Sequence, residues 1–275
     1  MNTIFKSLCS AACAAALTAA LSASLAAAMA APAAAADASA GPEEERVNIL
    51  VFGDSNTFGW VASPKDAKGR VTVSRLPVEQ TWPQQMASRL GEGYRVTVDA
   101  LGGRTTDLDE PGGSGSGKIP GVMFNGLTAL PSALSSNMPL DLVIVMLGSN
   151  DLKVAHDRSA YDIALALGRI TSTIVKGRWQ SKTDYAAPRV LIVAPPGLDD
   201  GKHFYSDFFA GARQKTSDWG RMIEPVVRAG GAEFMNAVDV VGVADQVDGV
   251  HMSADEHKAL GEAVAQKVKA MMQTK

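Results

Sequence analysis

Residues 46–60 read RVNILVFGDSNTFGW. The run Ile49 to Phe52 is wholly apolar and passes straight into Gly53, Asp54, Ser55, Asn56 and Thr57. A short continuous run of this kind fits a strand buried on both faces, as strands inside a parallel sheet are. The glycine and small polar residues that follow fit a tight turn at the strand's end.

Four further runs have the same character: YRVTVDA (94–100), LDLVIVML (140–147), RVLIVAP (189–195) and AEFMNA (232–237). Between them lie stretches with helical spacing, around residues 82–90, 126–138, 160–176 and 216–229. Strand, helix, strand repeated in this way predicts an α/β doubly wound sheet with right-handed crossovers. Ser253 and Glu256 form a capping box, and Leu260, Val264, Val268 and Met271 then recur on one face. A last helix therefore starts just after His251, which leaves that histidine on the entering loop. Residues 61–81 and 109–121 read as irregular.

Ligands of open parallel sheets bind beyond the carboxyl ends of the strands. Gly53-Asp54-Ser55 follows the first strand, Gly102-Gly103-Arg104 the second and Gly148-Ser149-Asn150-Asp151 the third. Pro195-Pro196-Gly197 follows the fourth strand, and Asp248-Gly249-Val250-His251 the fifth after a short connection. A serine hydroxyl becomes a useful nucleophile only with a base in reach and a third group that orients the base. Ser55 is the candidate nucleophile, His251 the base and Asp248 the orienting carboxylate. The backbone N–H groups of Ser55 and Gly103, with the Asn150 amide, are candidate donors to a developing oxyanion. Asp245 could also orient His251, but it lies farther from it in sequence.

These blocks, in this order, resemble the SGNH, or GDSL-type, hydrolases. The wording GDSNTFGW, LGGRTTDLDEP, PLDLVIVMLGSNDLK, RVLIVAPP and DGVHMSADEHKALGEAV is similar to their bacterial arylesterase and acyltransferase branch. The resemblance implies a flavodoxin-like, three-layer α/β/α fold with a five-stranded parallel sheet of order 2-1-3-4-5. It implies a Ser55, Asp248, His251 triad and an oxyanion hole of Ser55, Gly103 and Asn150. It further implies hydrolysis of small carboxylic esters without a cofactor or metal, with acyl transfer to alcohols or hydrogen peroxide in some members. A carbohydrate O-deacetylase would use the same machinery, and a non-catalytic periplasmic binding protein would keep only the fold. The expected pocket is lined by Asn56, Trp60, Tyr205, Phe208, Phe209 and Val250, with Asn56 standing where that branch more often has leucine. A crowded pocket of this sort favours acetyl over long acyl groups. Subunit association is also implied, with residues 61–81 as the candidate contact.

The chain has 275 residues, of which 46% are hydrophobic and 20% charged. That suits a globular core and excludes a disordered or collagen-like chain. Composition is uneven, because residues 1–40 hold 19 alanines and only two charged residues, Lys6 and Asp37. The uncharged stretch Ser7 to Ala36, ending in small-x-small sites, reads as a secretory signal, with an uncleaved membrane anchor as the alternative because the stretch exceeds the roughly 20 residues that span a bilayer. The expected division is residues 1–36 for export with cleavage within 31–40, 37–45 as a flexible lead, and 46–275 as one catalytic domain. Both cysteines, Cys9 and Cys13, would leave with the signal. The secreted or periplasmic product would then lack thiol chemistry, disulfides and a membrane segment. A mildly acidic balance gives no footprint for nucleic acid.

Other features have plainer readings. Asp54 fixes the turn after the strand, Arg104, Thr105 and Thr106 hold the next loop, and Asp151 braces the Asn150 turn. His156, His203 and His257 read as surface or loop residues, with His203 the nearest candidate to the pocket mouth, and Lys153 points to the site or to solvent. The run GGSGSGK (112–118) fits a phosphate-binding loop only superficially. It is followed by Ile119 instead of Ser or Thr, is flanked by Pro111 and Pro120, and follows no strand. Ser55 also lacks the Gly-x-Ser-x-Gly elbow of α/β-hydrolases. Asp107 to Glu110 and Asp199-Asp200 have no cation-binding spacing.

Overall fold

A computed structural model describes residues 46–111, 118–177, 179, 182, 184–201, 204–244 and 247–273. In chain order these form β1 (Val47–Gly53), α1 (Ser55–Phe58), β2 (Trp60–Ala62), β3 (Val73–Arg75), α2 (Trp82–Leu90) and β4 (Tyr94–Ala100). Then come α3 (Gly126–Asn137), β5 (Leu142–Met146), α4 (Ala160–Lys176), β6 (Arg189–Ala194) and α5 (Ala212–Thr216). The chain continues through α6 (Trp219–Ala229), β7 (Glu233–Asn236), α7 (Val238–Val241) and α8 (Ala254–Gln273). These residues lie in one compact unit.

Five parallel strands make the main sheet, in the order β4, β1, β5, β6, β7. In order along the chain that is 2-1-3-4-5, the order that the family resemblance implies. Alternation along each strand sends side chains to two cores. Leu50, Phe52, Val143, Val145, Ile192 and Ala194 meet α3, α4 and α6 on one face. Ile49, Val51, Ile144, Met146, Leu191 and Val193 meet α2 and α8 on the other. The chain reverses its strand order beside β1, the strand that ends at Ser55, so the loops after β1, β4 and β5 splay apart there and form a crevice.

Two segments differ from expectation. Within the stretch read as irregular, β2 and β3 pair antiparallel, with Trp60 opposite Arg75. Strands of three residues are too short to display an alternation, and residues 63–72 separate them. The helix expected around 216–229 starts at Trp219 as α6, and Thr216 instead closes the separate short α5, where the hydroxyls of Thr216 and Ser217 donate back to the carbonyls of Arg213 and Gln214. Residues 1–45, most of the GGSGSGK run, His203 and Asp245 lie outside the described residues. Among the described residues no helix is long and apolar enough to cross a membrane.

Candidate active site

The end of β1 dictates the first block. A Cβ on Gly53 would lie 2.0 Å from Thr57 Oγ1, so only glycine lets α1 fold back so closely. Asp54 then caps α1, its Oδ1 accepting from the Asn56 backbone at 3.0 Å. This places Ser55 at the first helical position with its side chain buried at the carboxyl edge of the sheet.

His251 Nε2 lies 3.0 Å from Ser55 Oγ, and His251 Nδ1 lies 2.6 Å from Asp248 Oδ2. Burial alone would raise the Asp248 pKa. The hydrogen bond and charge of His251, with the N–H groups of His251 and Val250, outweigh burial and hold it below the usual carboxylate value. An ionised carboxylate only accepts, so His251 carries its proton on Nδ1 and leaves Nε2 to accept from the serine hydroxyl. The loop that carries this pair is fixed by Asp248 Oδ1, which accepts from Val250 N and His251 N at 2.9 Å each. Just beyond it, the expected capping box forms, with Ser253 N donating to Glu256 Oε2 at 2.7 Å.

Beside Ser55 stands the loop after β4. Gly103 has φ +89, a left-handed conformation that favours glycine, and a Cβ there would meet the Phe124 ring at 3.1 Å. Arg104 Nη1 donates to Gly53 O at 3.0 Å and Asp99 O at 2.9 Å, which ties this loop to the end of β1. The Asn150 amide donates to Arg104 O at 3.1 Å and faces Asp54 Oδ2 at 3.5 Å. Among the described residues, no protein group accepts from the backbone N–H of Ser55 or Gly103. The expected oxyanion donors therefore lie on the segments that follow β1, β4 and β5, which Arg104 and Asn150 tie together.

Two buried carboxylates hold this arrangement. Asp151 Oδ2 accepts from Thr106 N at 2.9 Å and its Oδ1 from the Thr106 hydroxyl, joining the loops after β4 and β5. Burial pushes Asp151 up to about 6 against those hydrogen bonds, and pushes Asp54 up to about 6 likewise. Lys153 is turned to Glu110, at 2.6 Å.

Trp60 and Tyr205 pack against the His251 imidazole in T-shaped arrangements, with centroids 5.8 and 6.1 Å away. The other expected pocket residues are arranged differently. Asn56 is buried and both ends of its amide are engaged, donating to Val250 O at 3.1 Å and accepting from Met252 N at 3.0 Å. Phe209 and Val250 are buried in the core beside α4 and α6. Phe208 is 60% exposed and touches Tyr205 from the solvent side.

His257 corrects a further expectation, because it is fully buried and not on the surface. Its Nδ1 accepts from Trp82 N at 3.1 Å, and burial, helped by the charge of His251, lowers its pKa to about 4. The signal was present, since His257 stands three residues before Leu260 on the apolar stripe of α8. His156 keeps its ring largely covered beside Glu110.

Hydroxyl, imidazole and carboxylate in a hydrogen-bonded file at the carboxyl edge of a parallel sheet define a serine-hydrolase arrangement. A family model for the GDSL-like lipase/acylhydrolase family matches residues 51–259. The chain belongs to that family. A structure titled as Est24, a carbohydrate acetylesterase from Sinorhizobium meliloti, is 36% identical, with TM-score 0.72, over 82% of this chain and 100% of that one. The native M. smegmatis aryl esterase is 34% identical, with TM-score 0.73, over 82% and 99%. A carbohydrate acetylesterase family member from Sinorhizobium meliloti is 28% identical, with TM-score 0.68, over 82% and 99%. Comparison with curated protein sequences gives no match. The chain is a carboxylic ester hydrolase of the SGNH type.

Proposed function

We propose that the protein hydrolyses short, acetyl-type carboxylic esters such as aryl acetates through an acyl-enzyme. The observation that carries this reading is the file Ser55, His251, Asp248 with Trp60 and Tyr205 crowding the imidazole. Ser55 Oγ attacks the ester carbonyl while His251 Nε2 takes the hydroxyl proton, and Asp248 stabilises the imidazolium. The developing oxyanion receives hydrogen bonds from the N–H groups of Ser55 and Gly103 and from the Asn150 amide. Each such donor is typically worth about 2.7–4 kcal/mol in the transition state. His251 then gives its proton to the leaving alkoxide or phenoxide, and water, activated by the same imidazole, releases the acid. An alcohol or hydrogen peroxide in place of that water gives acyl transfer or perhydrolysis.

A second reading, a carbohydrate O-deacetylase, is supported by the 36% identity to a structure titled as a carbohydrate acetylesterase. Both readings are tested by kcat/KM on p-nitrophenyl acetate, butyrate and octanoate, with acetate release from acetylated xylan measured alongside. The aryl acetate reading expects acetate to exceed octanoate and phenyl esters to exceed xylan. Preference for octanoate contradicts the short-chain reading, and faster deacetylation of xylan selects the second one.

Export of a mature chain cleaved within residues 31–40 remains part of the proposal, on the uncharged stretch Ser7 to Ala36. The mass of the protein recovered from the periplasm or medium tests it, and an uncleaved chain would contradict it. Self-association through the segment 61–81 is likewise proposed, and a monomer in light scattering would contradict it.

A further inference from the structure

The residue after the nucleophile has a use that pocket lining does not explain. Asn56 is 1% exposed, lies on α1 beside Ser55, and is separated by 194 and 196 positions from its two hydrogen-bond partners. Those partners are the carbonyl of Val250 and the N–H of Met252, the backbone groups on either side of His251. The amide therefore clamps the histidine's own backbone from both directions. A carboxamide carries an acceptor and a donor on one carbon, so a single side chain can engage both the carbonyl of Val250 and the N–H of Met252.

The rest of the loop leaves this clamp little redundancy. Asp248 Oδ1 accepts from Val250 N and His251 N, and Gly249 O accepts from Asp199 N. Asp248 thus holds the loop from within, and the segment after β6 holds it through Asp199. Asn56 supplies the hydrogen bonds that tie the loop's backbone to the element bearing the nucleophile, beside the His251 to Ser55 side-chain bond. Without them, a buried carbonyl and a buried N–H lose their partners, and the loop gains from shifting to find others. A shift of about 1 Å between reacting groups is enough to cost on the order of 100-fold in rate.

We propose that Asn56 is a positioning residue that sets the Ser55 to His251 distance by clamping the backbone on both sides of His251 to the nucleophile helix. It touches no substrate and acts through His251. The inference rests on the esterase reading for its kinetic consequence only, because the clamp itself is a property of the loop.

The test is Asn56→Leu, which keeps the branched four-atom outline and deletes both hydrogen bonds but is bulkier, with Asn56→Ala as a second variant that adds no bulk should the leucine fail to fold. With p-nitrophenyl acetate, kcat per folded enzyme is expected to fall about 10- to 100-fold while KM stays within twofold. In nitrogen-15 labelled protein, exchange of the His251 Nδ1 proton with water is expected to accelerate at least about tenfold, as the imidazole loses its fixed seat. A kcat within twofold of wild type in a folded variant overturns the proposal. So does a loss carried by KM alone with the His251 signal unchanged, which would return Asn56 to the substrate pocket. If wild-type protein hydrolyses no ester, the esterase reading fails, and the His251 exchange rate decides the clamp by itself.

Discussion

The two ends of the main sheet differ in kind. At the amino end two clefts open, one of about 470 Å³ lined by Arg189, Glu233, Lys267 and Met271, the other of about 180 Å³ beside Asn48, Arg95 and Leu140. Their charged groups form partly exposed pairs such as Lys267 with Glu233 at 2.7 Å. At the carboxyl end Asp54, Ser55, Asn56, Arg104, Thr106, Asn150, Asp151, Asp248 and His251 are all buried, and hydrogen bonds join each of them to another polar group. Burying polar groups is costly unless each is paired, so a dense buried network marks a site more surely than open volume does.

Substitutions sharpen that contrast, beginning with the largest effect. Ser55→Ala or His251→Ala is expected to lower kcat for p-nitrophenyl acetate by about 10⁴- to 10⁶-fold with the fold intact. Steady-state kinetics with a melting curve checks this, and a residual rate near wild type would move the chemistry elsewhere. Asn150→Ala removes one oxyanion donor, and kcat should drop about 10²- to 10³-fold with little change in KM.

His257 probes the network's protonation. Its folded pKa of about 4 lies below the ordinary 6.5, so between those values the unfolded chain binds a proton that the native chain does not. Its contribution to stability is present above pH 6.5 and is lost as pH falls to about 4, by about 3 kcal/mol. Asp54 and Asp151, raised to about 6, work the opposite way between the ordinary 3.8 and 6, gaining stability on acidification. The difference between wild type and His257→Gln cancels those carboxylates. Urea melts at pH 7 and pH 4.5 should show the variant losing less stability on acidification than wild type. An equal loss in both proteins would contradict the buried neutral imidazole.

Gly103→Ala forces a side chain into the left-handed region against Phe124, and should cost about 1–2 kcal/mol of stability along with oxyanion geometry. The smallest effect belongs to the other edge. Lys267→Ala removes a partly exposed ion pair, and should leave kcat/KM unchanged and stability within about 1 kcal/mol. A catalytic defect in that variant would break the contrast between the two ends.

Much of this was legible in the chain. The three central strands carry nearly continuous apolar runs, and β1, β4 and β5 each pass directly into the block that supplies Ser55, Gly103 or Asn150. Such signals are local, so they survive without knowledge of tertiary contacts. What stayed hidden depends on partners far away in sequence. Asn56 looks like a pocket residue until Val250 and Met252 are beside it, and Phe209 joins the core because its loop turns inward between β6 and α5. The pairing of β2 with β3, which carries Trp60 toward His251, rests on three residues a side and has no periodicity to read.

The central claim is that Ser55 is the nucleophile and that His251 activates it. The most direct measurement treats the protein with diethyl p-nitrophenyl phosphate and locates the adduct by peptide mass spectrometry. One diethylphosphoryl group is expected on the peptide bearing Ser55, absent in Ser55→Ala and formed at least about 10³-fold more slowly in His251→Ala. An adduct on another residue, or hydrolysis of p-nitrophenyl acetate by a protein that stays unmodified, would contradict the account.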